Sequence, residues 1–544
     1  MNFKFKNSLF ALSATVLLMG CGATALVSTP IENIDTTPLK ISDLTEAEKK
    51  NWGHLDLVSD TIPGMSVDKV YQELIGNKKG QKVIVAVLDS GVDLKHEDLD
   101  DVLWTNKDEK PGNGKDDDNN GYVDDIHGYN FLGDSYNEQL EAARIVKLKL
   151  GDAAIQAKAK AKVDEGYNKA VQNKQQYEQI LQAVKNADAA VKKHLGKNNY
   201  AKKDVAGIKP SDETMQQHVG VLMQMYTFKD TIPEVIEELG EGIKYFADQA
   251  NYNYNVNFDG RKVVGDKPYD INSKGYGDGN PQSRSEDESH GTHVAGIIAA
   301  ERNNGKGANG VANNVEIMSI RAVPNGDEYD KDIAQGIRYG VDNGAKIINC
   351  SFGKSFSPNA EWVYDAIKYA AKNDVLIVHA AGNEGDNIDD TGNPNFPNDH
   401  MQKNTPEISD NVITVGALAP KYGSEMVAVF SNYGKINVDI YAPGDEIYST
   451  MPGSKYDYQG GTSMAAPAVA GLAALIRSHY PKLTAPQVKH IIMESGLAPK
   501  AKVILGGDAS KSDSLDKISV SGKMANAYNA LIMADQVNNG KLKI

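Results

Sequence analysis

The run Lys82-Val83-Ile84-Val85-Ala86-Val87-Leu88, closed by Asp89-Ser90-Gly91, decides the fold. A strand with one wet face alternates apolar and polar residues. A run that is apolar on both faces and stops at a turn reads as a strand buried inside a parallel sheet. Val315–Ile320, Lys346–Cys350, Val375–Ala380 and Val412–Val415 are further runs of this kind. Helical patterns lie between them: Asp332–Asn343 leads into one strand and Ala360–Asn373 into another. Strands alternating with helices imply an α/β fold, with a mainly parallel central sheet flanked by helices.

Residues 134–250 have a different texture. No proline occurs between Pro111 and Pro210, and Ala, Lys, Gln and Glu dominate, all strong helix formers. Tyr177, Ile180, Val184, Ala187 and Val191 recur at helical spacing on one stripe. A second helical set starts after Pro210, with Ser211 as the expected N-cap. Residues 134–250 are therefore expected to be a helical-hairpin insertion in an α/β domain formed by 81–133 and 251–540. Residues 21–80 read as an N-terminal extension packed on that domain. The tail after Ser478 reads as helices closing the same domain, with no separate sorting domain.

Three short motifs carry chemistry. Val87-Leu88-Asp89-Ser90-Gly91 places an Asp at the carboxyl end of a buried strand. His290-Gly291-Thr292-His293-Val294-Ala295-Gly296 follows, and then Gly461-Thr462-Ser463-Met464-Ala465-Ala466-Pro467, a Ser at a Gly-led turn entering an apolar helix. Each alone has a bland reading: a turn Asp, a lone capping Ser, a pair of histidines at i, i+3. That pair could also bind a metal, but no acidic partner sits within the motif and no third ligand is evident. The order Asp…His…Ser makes the three together much more specific.

On these motifs the chain resembles the subtilisin-like serine protease family, over roughly 82–132 and 255–480. The resemblance implies the subtilisin-like fold and a serine endopeptidase acting on protein or peptide substrates. It implies Ser463 as nucleophile, His290 as general base and acid, and Asp89 as the group that orients the imidazole. The physics agrees. A serine hydroxyl needs a base at hydrogen-bond distance, and an imidazole titrates in the right range. Activity is then expected to fall below about pH 6.5, the ordinary histidine pKa. Ser463 at the start of the helix Met464–Ser478 would turn its own N–H toward developing negative charge. Ala380-Ala381-Gly382-Asn383 resembles the family's oxyanion segment, with Asn383 as donor. Asn349-Cys350-Ser351-Phe352-Gly353 resembles the segment that pairs with extended substrate. Ser351, Phe352 and Gly353 would form one wall of the P1 pocket, facing Ala381 and Gly382. Glu384 at the rim would favour a basic P1 residue. Cys350 reads as a small buried hydrophobe.

Asp89 and His290 lie 201 residues apart, where the family usually needs a few tens. The excess is the insertion, tolerated if its ends are close together at the surface. Ahead of it lies Asp116-Asp117-Asp118-Asn119-Asn120-Gly121-Tyr122-Val123-Asp124-Asp125. Oxygen ligands at alternating positions with a Gly at the sixth resemble an EF-hand loop, giving Asp116, Asp118, Asn120 and Asp124 as calcium ligands. The twelfth position is His127 rather than Glu, so the EF-hand template fails there. A calcium loop of another geometry and an acidic Asx-turn loop both stay open. The implied chemistry itself requires no cofactor. With Tyr252, Tyr254, Arg261, Gly265 and Asp266, this region resembles subtilases of Bacteroidetes-type bacteria that carry a helical insertion. There the insertion is expected to restrict access to the cleft or to dock a partner.

The N-terminus reads as an address. Lys4 and Lys6 precede an apolar run from Leu9 to Met19, a secretory signal too short for a membrane span. Leu18-Met19-Gly20-Cys21 resembles a bacterial lipobox, which implies a signal peptide over 1–20 and a lipidated Cys21. The expected location is extracytoplasmic and membrane-anchored, at the outer membrane or facing the periplasm of a Gram-negative cell. The net charge of −15 makes nucleic acid a poor partner. Two rival readings stand beside the protease. One is a latent protease-fold lipoprotein whose helical insertion serves as a binding or adaptor module. The other is a metallohydrolase using His290 and His293. Oligomeric state is left open.

Overall fold

The computed structural model describes residues 28, 34–36, 40 and 42–544, apart from 77, 79, 286 and 402–404. The expected signal peptide and Cys21 lie outside the described residues. Among the described residues, no helix is long and apolar enough to cross a membrane.

Seven parallel strands form the central sheet: β1 (Val83–Asp89), β2 (Gly128–Asn130), β3 (Val315–Arg321), β4 (Ile347–Cys350), β5 (Leu376–Ala380), β6 (Val412–Leu418) and β7 (Ile440–Pro443). Their order is β2-β3-β1-β4-β5-β6-β7. The apolar run of β1 lies at the centre, paired with β3 on one side and β4 on the other. Val85 and Val87 face one buried cluster, and Ala86 and Leu88 face the other. This two-sided burial explains why the run does not alternate. The strands run one residue longer or shorter than their apolar runs, except β6, which continues to Leu418.

Among the described residues, the α-helices of six residues or more are α1 (Glu46–Asn51), α2 (Glu141–Leu148), α3 (Ala153–Leu195), α4 (Glu213–Met225), α5 (Ile232–Asp248), α6 (His290–Ala299), α7 (Asp330–Asp342), α8 (Ala360–Lys372), α9 (Thr462–His479), α10 (Ala485–Ser495) and α11 (Ala527–Asn538). Helix α9 is buried against the sheet, as its apolar sequence requires. It begins two residues before the expected Met464, so Ser463 lies inside its first turn. Two antiparallel hairpins complete the domain. One is β8 (Ile447–Met451) with β9 (Lys455–Gln459); the other, Lys502–Leu505 with Asp508–Ser514, lies in the tail read as purely helical. The N-terminal extension buries Trp52, Leu57, Ile62, Met65 and Val70 in the main core. The Trp52 indole donates to the carbonyl oxygens of Asp445 and Glu446, both at 3.1 Å.

The insertion is a bundle rather than a hairpin. Helix α3 has 43 residues, roughly 64 Å, so it extends well past the sheet. Its distal half buries the expected stripe residues Val184, Ala187 and Val191 against Leu222 of α4 and Ile232 and Val235 of α5. Its proximal half packs Ala159 and Val163 against Ala142 and Ile145 of α2 and against Phe356. The N-cap of α4 is Asp212, one residue after the expected Ser211. The Asp212 carboxylate accepts the Met215 amide at 2.8 Å, while the Ser211 hydroxyl only donates to Asp212.

Candidate active site

Asp89 ends β1 and His290 opens α6. The His290 ring donates from Nδ1 to Asp89 Oδ1 at 2.7 Å, which leaves Nε2 as an acceptor. Asp89 is buried, and the same oxygen accepts the Ser90 amide at 2.7 Å. The His290 side chain keeps 36% of its surface exposed. Burial disfavours the charged ring, but the Asp89 charge and hydrogen bond outweigh it, and the His290 pKa rises above the ordinary 6.5. His293, one turn on, faces away. Its Nε2 bonds the carbonyl oxygens of Ile447 and Asp457, which pins the β8–β9 hairpin. Burial lowers its pKa to about 3.

Ser463 meets Ser351 at the end of β4. The Ser463 hydroxyl donates to the Ser351 carbonyl oxygen at 3.1 Å, and the Ser351 hydroxyl donates to the Ser463 carbonyl oxygen at 2.8 Å. Among the described residues no hydrogen bond joins Ser463 to His290. The segments that carry them are nonetheless tied together, since Gln459 Nε2 donates to Ser289 Oγ at 3.2 Å.

Asn383 follows β5. Its Oδ1 accepts the Thr462 amide at 2.8 Å and the Thr462 hydroxyl at 3.0 Å, which fixes the amide plane and leaves Nδ2 free to donate. A Cβ placed on Gly461 would lie 3.5 Å from both Asn383 Nδ2 and Ser463 N, so these two donors flank one point. Gly382 has φ +99, and a Cβ there would come within 2.4 Å of Asn432 Nδ2. Asn432 holds the loop from beneath. It donates to the Ala381 carbonyl oxygen and the Glu384 carboxylate and accepts the Glu384 and Asp386 amides. Thr462 and Asn432 went unread in the sequence. Thr462 was visible only as the neighbour of Ser463, and Asn432 carries no local signal.

The two expected pocket walls leave neighbouring strands, β4 and β5. Asn395 joins them: its Nδ2 donates to the carbonyl oxygens of Ala380 and Ala381, and its Oδ1 lies 2.3 Å from where a Gly353 Cβ would be. Phe352 turns inward, and its carbonyl oxygen accepts from His379 Nε2 at 2.8 Å, so backbone forms this wall. Cys350 is buried and free, and burial raises its thiol pKa, as a core residue requires.

The insertion reaches both banks of this region. Lys162 of α3 donates to Ser355 Oγ at 2.6 Å, and Lys158 donates to the Gly392 carbonyl oxygen at 2.9 Å. A cavity of about 580 Å³ lies between α3 and the pocket residues Gly353, Glu384 and Asn395. At the other end, the α4–α5 turn and Asp457 of β9 line a second cleft of about 700 Å³. Lys354, next to Gly353, is buried. Its ammonium bridges Glu141 of α2 at 3.0 Å and Asp330 of α7 at 2.8 Å.

Two of the four expected calcium ligands, Asp116 and Asp118, meet at the Asn120 amide, which lies 3.1 and 2.9 Å from their Oδ1 atoms. Asp116 accepts the amides of Asn120 and Gly121, and Asp124 accepts those of Asn113 and Gly114. Asp118 and the side chain of Asn120 turn instead toward Asp125.

A family model described as the Subtilase family matches residues 80–522. The chain is 44% identical over 190 residues to the thermophilic serine proteinase of Bacillus sp. (strain AK1), covering 35% of this chain and 42% of that protein. It is 39% identical over 204 residues to the major intracellular serine protease of Bacillus subtilis (strain 168), covering 37% and 59%. Against thermitase of Thermoactinomyces vulgaris it is 38% identical over 190 residues, covering 35% and 61%. In each case the chain spans less than two thirds of the relative's length.

Proposed function

The chain belongs to the subtilase family, and on that premise we propose that it is an exported, lipid-anchored serine endopeptidase. The observation that carries the reading is the bond from His290 Nδ1 to Asp89 Oδ1, which leaves Nε2 free to take a proton. Ser463 Oγ, turned from the Ser351 carbonyl, gives its proton to His290 Nε2 and attacks the substrate carbonyl carbon. The oxyanion accepts from Asn383 Nδ2 and the Ser463 N–H. His290 then passes the proton to the leaving amine, and an ester to Ser463 remains. Water, deprotonated by His290, hydrolyses that ester and restores the serine.

The insertion supports a finer reading, in line with a lipoprotein subgroup that carries such a bundle. It touches the Ser355 and Gly392 loops on one bank and stands over Asp457 of β9 on the other. An arch of this kind admits an extended peptide and excludes a folded protein. Glu384, held by Asn432 at the rim, favours a basic P1 residue. The lipobox at Cys21 supports attachment to a membrane by lipid, outside the cytoplasm.

Labelling with a fluorophosphonate probe tests the activity. The wild-type chain is expected to label and Ser463→Ala to stay unlabelled. Absence of label on a folded wild-type chain would favour the latent, adaptor-like reading.

A further inference from the structure

Asn349 lies in β4 with its side chain fully buried. Its partners in register are Val87 of β1 and Val378 of β5, both in the main core. A polar amide among such residues is unfavourable unless its groups are paired. Asn349 Oδ1 is not paired: it is buried with no hydrogen-bond partner. Among the described residues the side chain makes one hydrogen bond, from Nδ2 to Ser351 Oγ at 2.9 Å. An amide kept in the core for that single bond has a use beyond packing.

The bond can run in only one direction. Ser351 Oγ lies 2.8 Å from the Ser463 carbonyl oxygen, which can only accept, so the single Ser351 proton is committed there. Asn349 must then face Ser351 with its N–H, and its oxygen takes the unpaired place. The reverse orientation would draw the Ser351 proton to Asn349 and strip the Ser463 carbonyl of its donor. No main-chain donor could replace it, because Pro467, four residues on, lacks an N–H. Ser463 Oγ in turn donates to the Ser351 carbonyl oxygen at 3.1 Å. Ser351 thus grips residue 463 at two polar groups, and Asn349 sets which way the Ser351 hydroxyl points.

We propose that Asn349 is a positioning residue for the nucleophile, holding Ser463 in place through the Ser351 hydroxyl. This role rests on the serine-protease reading above. Asn349 bonds neither His290 nor Ser463, and no proton passes through it. Its effect lies in geometry. Ser463 supplies both the attacking Oγ and one oxyanion N–H, and small displacements of such groups slow the chemical step. Substrate binding depends on the pocket walls and main-chain pairing, which the amide does not supply. Removing the amide therefore changes kcat far more than KM.

The rate of fluorophosphonate labelling at Ser463 tests the role, in the full chain as wild type, Asn349→Leu, Ser351→Ala and the double variant. Leucine keeps the volume and removes the donor, and labelling should slow about five- to tenfold, the worth of one hydrogen bond felt in the transition state. The double variant should label no more slowly than Ser351→Ala alone, because the relay is already broken there. Peptide hydrolysis by Asn349→Leu should show the same fall in kcat, with KM within about twofold of the wild type. Circular dichroism checks that each variant is folded, and Asn349→Ala serves if Asn349→Leu does not fold. A residue that served stability alone would shift the unfolding temperature and leave the labelling rate of the folded protein unchanged. Equal labelling of the wild type and Asn349→Leu, or a double variant slowed by the product of the two single effects, would overturn this role alone. Absence of label on the folded wild type would overturn it together with the protease reading.

Discussion

Ser351 and Ser463 bind each other twice, each hydroxyl donating to the other's carbonyl oxygen. The second bond has a cause in the sequence. Pro467 lies inside α9 and has no N–H, so the helix cannot supply the i+4 donor that Ser463 O would otherwise receive. The Ser351 hydroxyl fills the gap. The end of β4 is thereby locked to the first turn of α9, and the Ser463 hydroxyl rests beside the pocket wall.

Ser351→Ala should therefore cost stability. It leaves the Ser463 carbonyl oxygen without a partner, a loss of about 1–3 kcal/mol for a part-buried acceptor. Thermal unfolding checks this. An unchanged Tm would mean that water satisfies the carbonyl equally well.

The pH dependence follows from His290. It must be neutral to accept the serine proton, and Asp89 raises its pKa above 6.5. Under the proposed mechanism, kcat/KM falls as pH drops through that raised value, so the acid limb begins above 6.5. A profile of peptide hydrolysis against pH measures it. A limb below 6.5 would contradict the direction of the shift.

Asn383 and Thr462 should separate as donor and positioning residue. Under the proposed mechanism Asn383→Ala removes a donor to the oxyanion, and kcat should drop about 10²–10³-fold, the range known for such a donor in this family. Thr462→Ala keeps the donor but frees its plane. It should lower kcat less than Asn383→Ala does, with KM nearly unchanged in both. An equal effect of the two substitutions would place Thr462 in the chemistry itself.

The strands were legible because burial on both faces leaves long apolar runs, and β4 and β5 end where those runs end. Asp89, His290 and Ser463 could be singled out because each sits in a short motif and the three follow one another in the order Asp, His, Ser; the structure joins the first two. Asn432, Asn395 and Lys354 were not legible. Each acts through contacts with segments distant in sequence, and nothing in its neighbours marks it. The acidic loop shows the same limit. Its alternating oxygens single out Asp116 and Asp124, whose carboxylates accept backbone amides, while Glu109, outside that pattern, lies against Asp118 and Asp125.

Lys354 ties α2 to α7. Its ammonium is buried between Glu141 of α2 and Asp330 of α7 and also donates to the Glu328 carbonyl oxygen at 2.7 Å. Lys354→Met would keep much of the volume and strand two buried acids. Breaking a buried pair in this way costs about 3–5 kcal/mol. Denaturant unfolding measures the loss. A value within about 0.5 kcal/mol of the wild type, the usual surface effect, would show that Arg144, which pairs with Glu141 at 3.0 Å, compensates.

The arch should govern what reaches Ser463. Its distal half has a core of its own, including Val184, Val191, Leu222 and Val235. Its base holds the cleft rim through Lys158 and Lys162. The two halves meet where Tyr177 of α3 packs on Gly242 of α5: a Cβ on Gly242 would lie 2.4 Å from the Tyr177 ring. Removing residues 178–241 and joining Tyr177 to Gly242 with a short glycine linker should thus leave the base intact. Hydrolysis of a short peptide should then stay within about twofold, since the chemistry is untouched. Cleavage of a folded protein should rise, because the far bank near Asp457 is no longer covered. Comparing kcat/KM for a peptide and for a folded protein, in wild type and deletion, separates two causes. A rise for both substrates would point to general loosening of the site. No change for either would remove the arch from substrate selection.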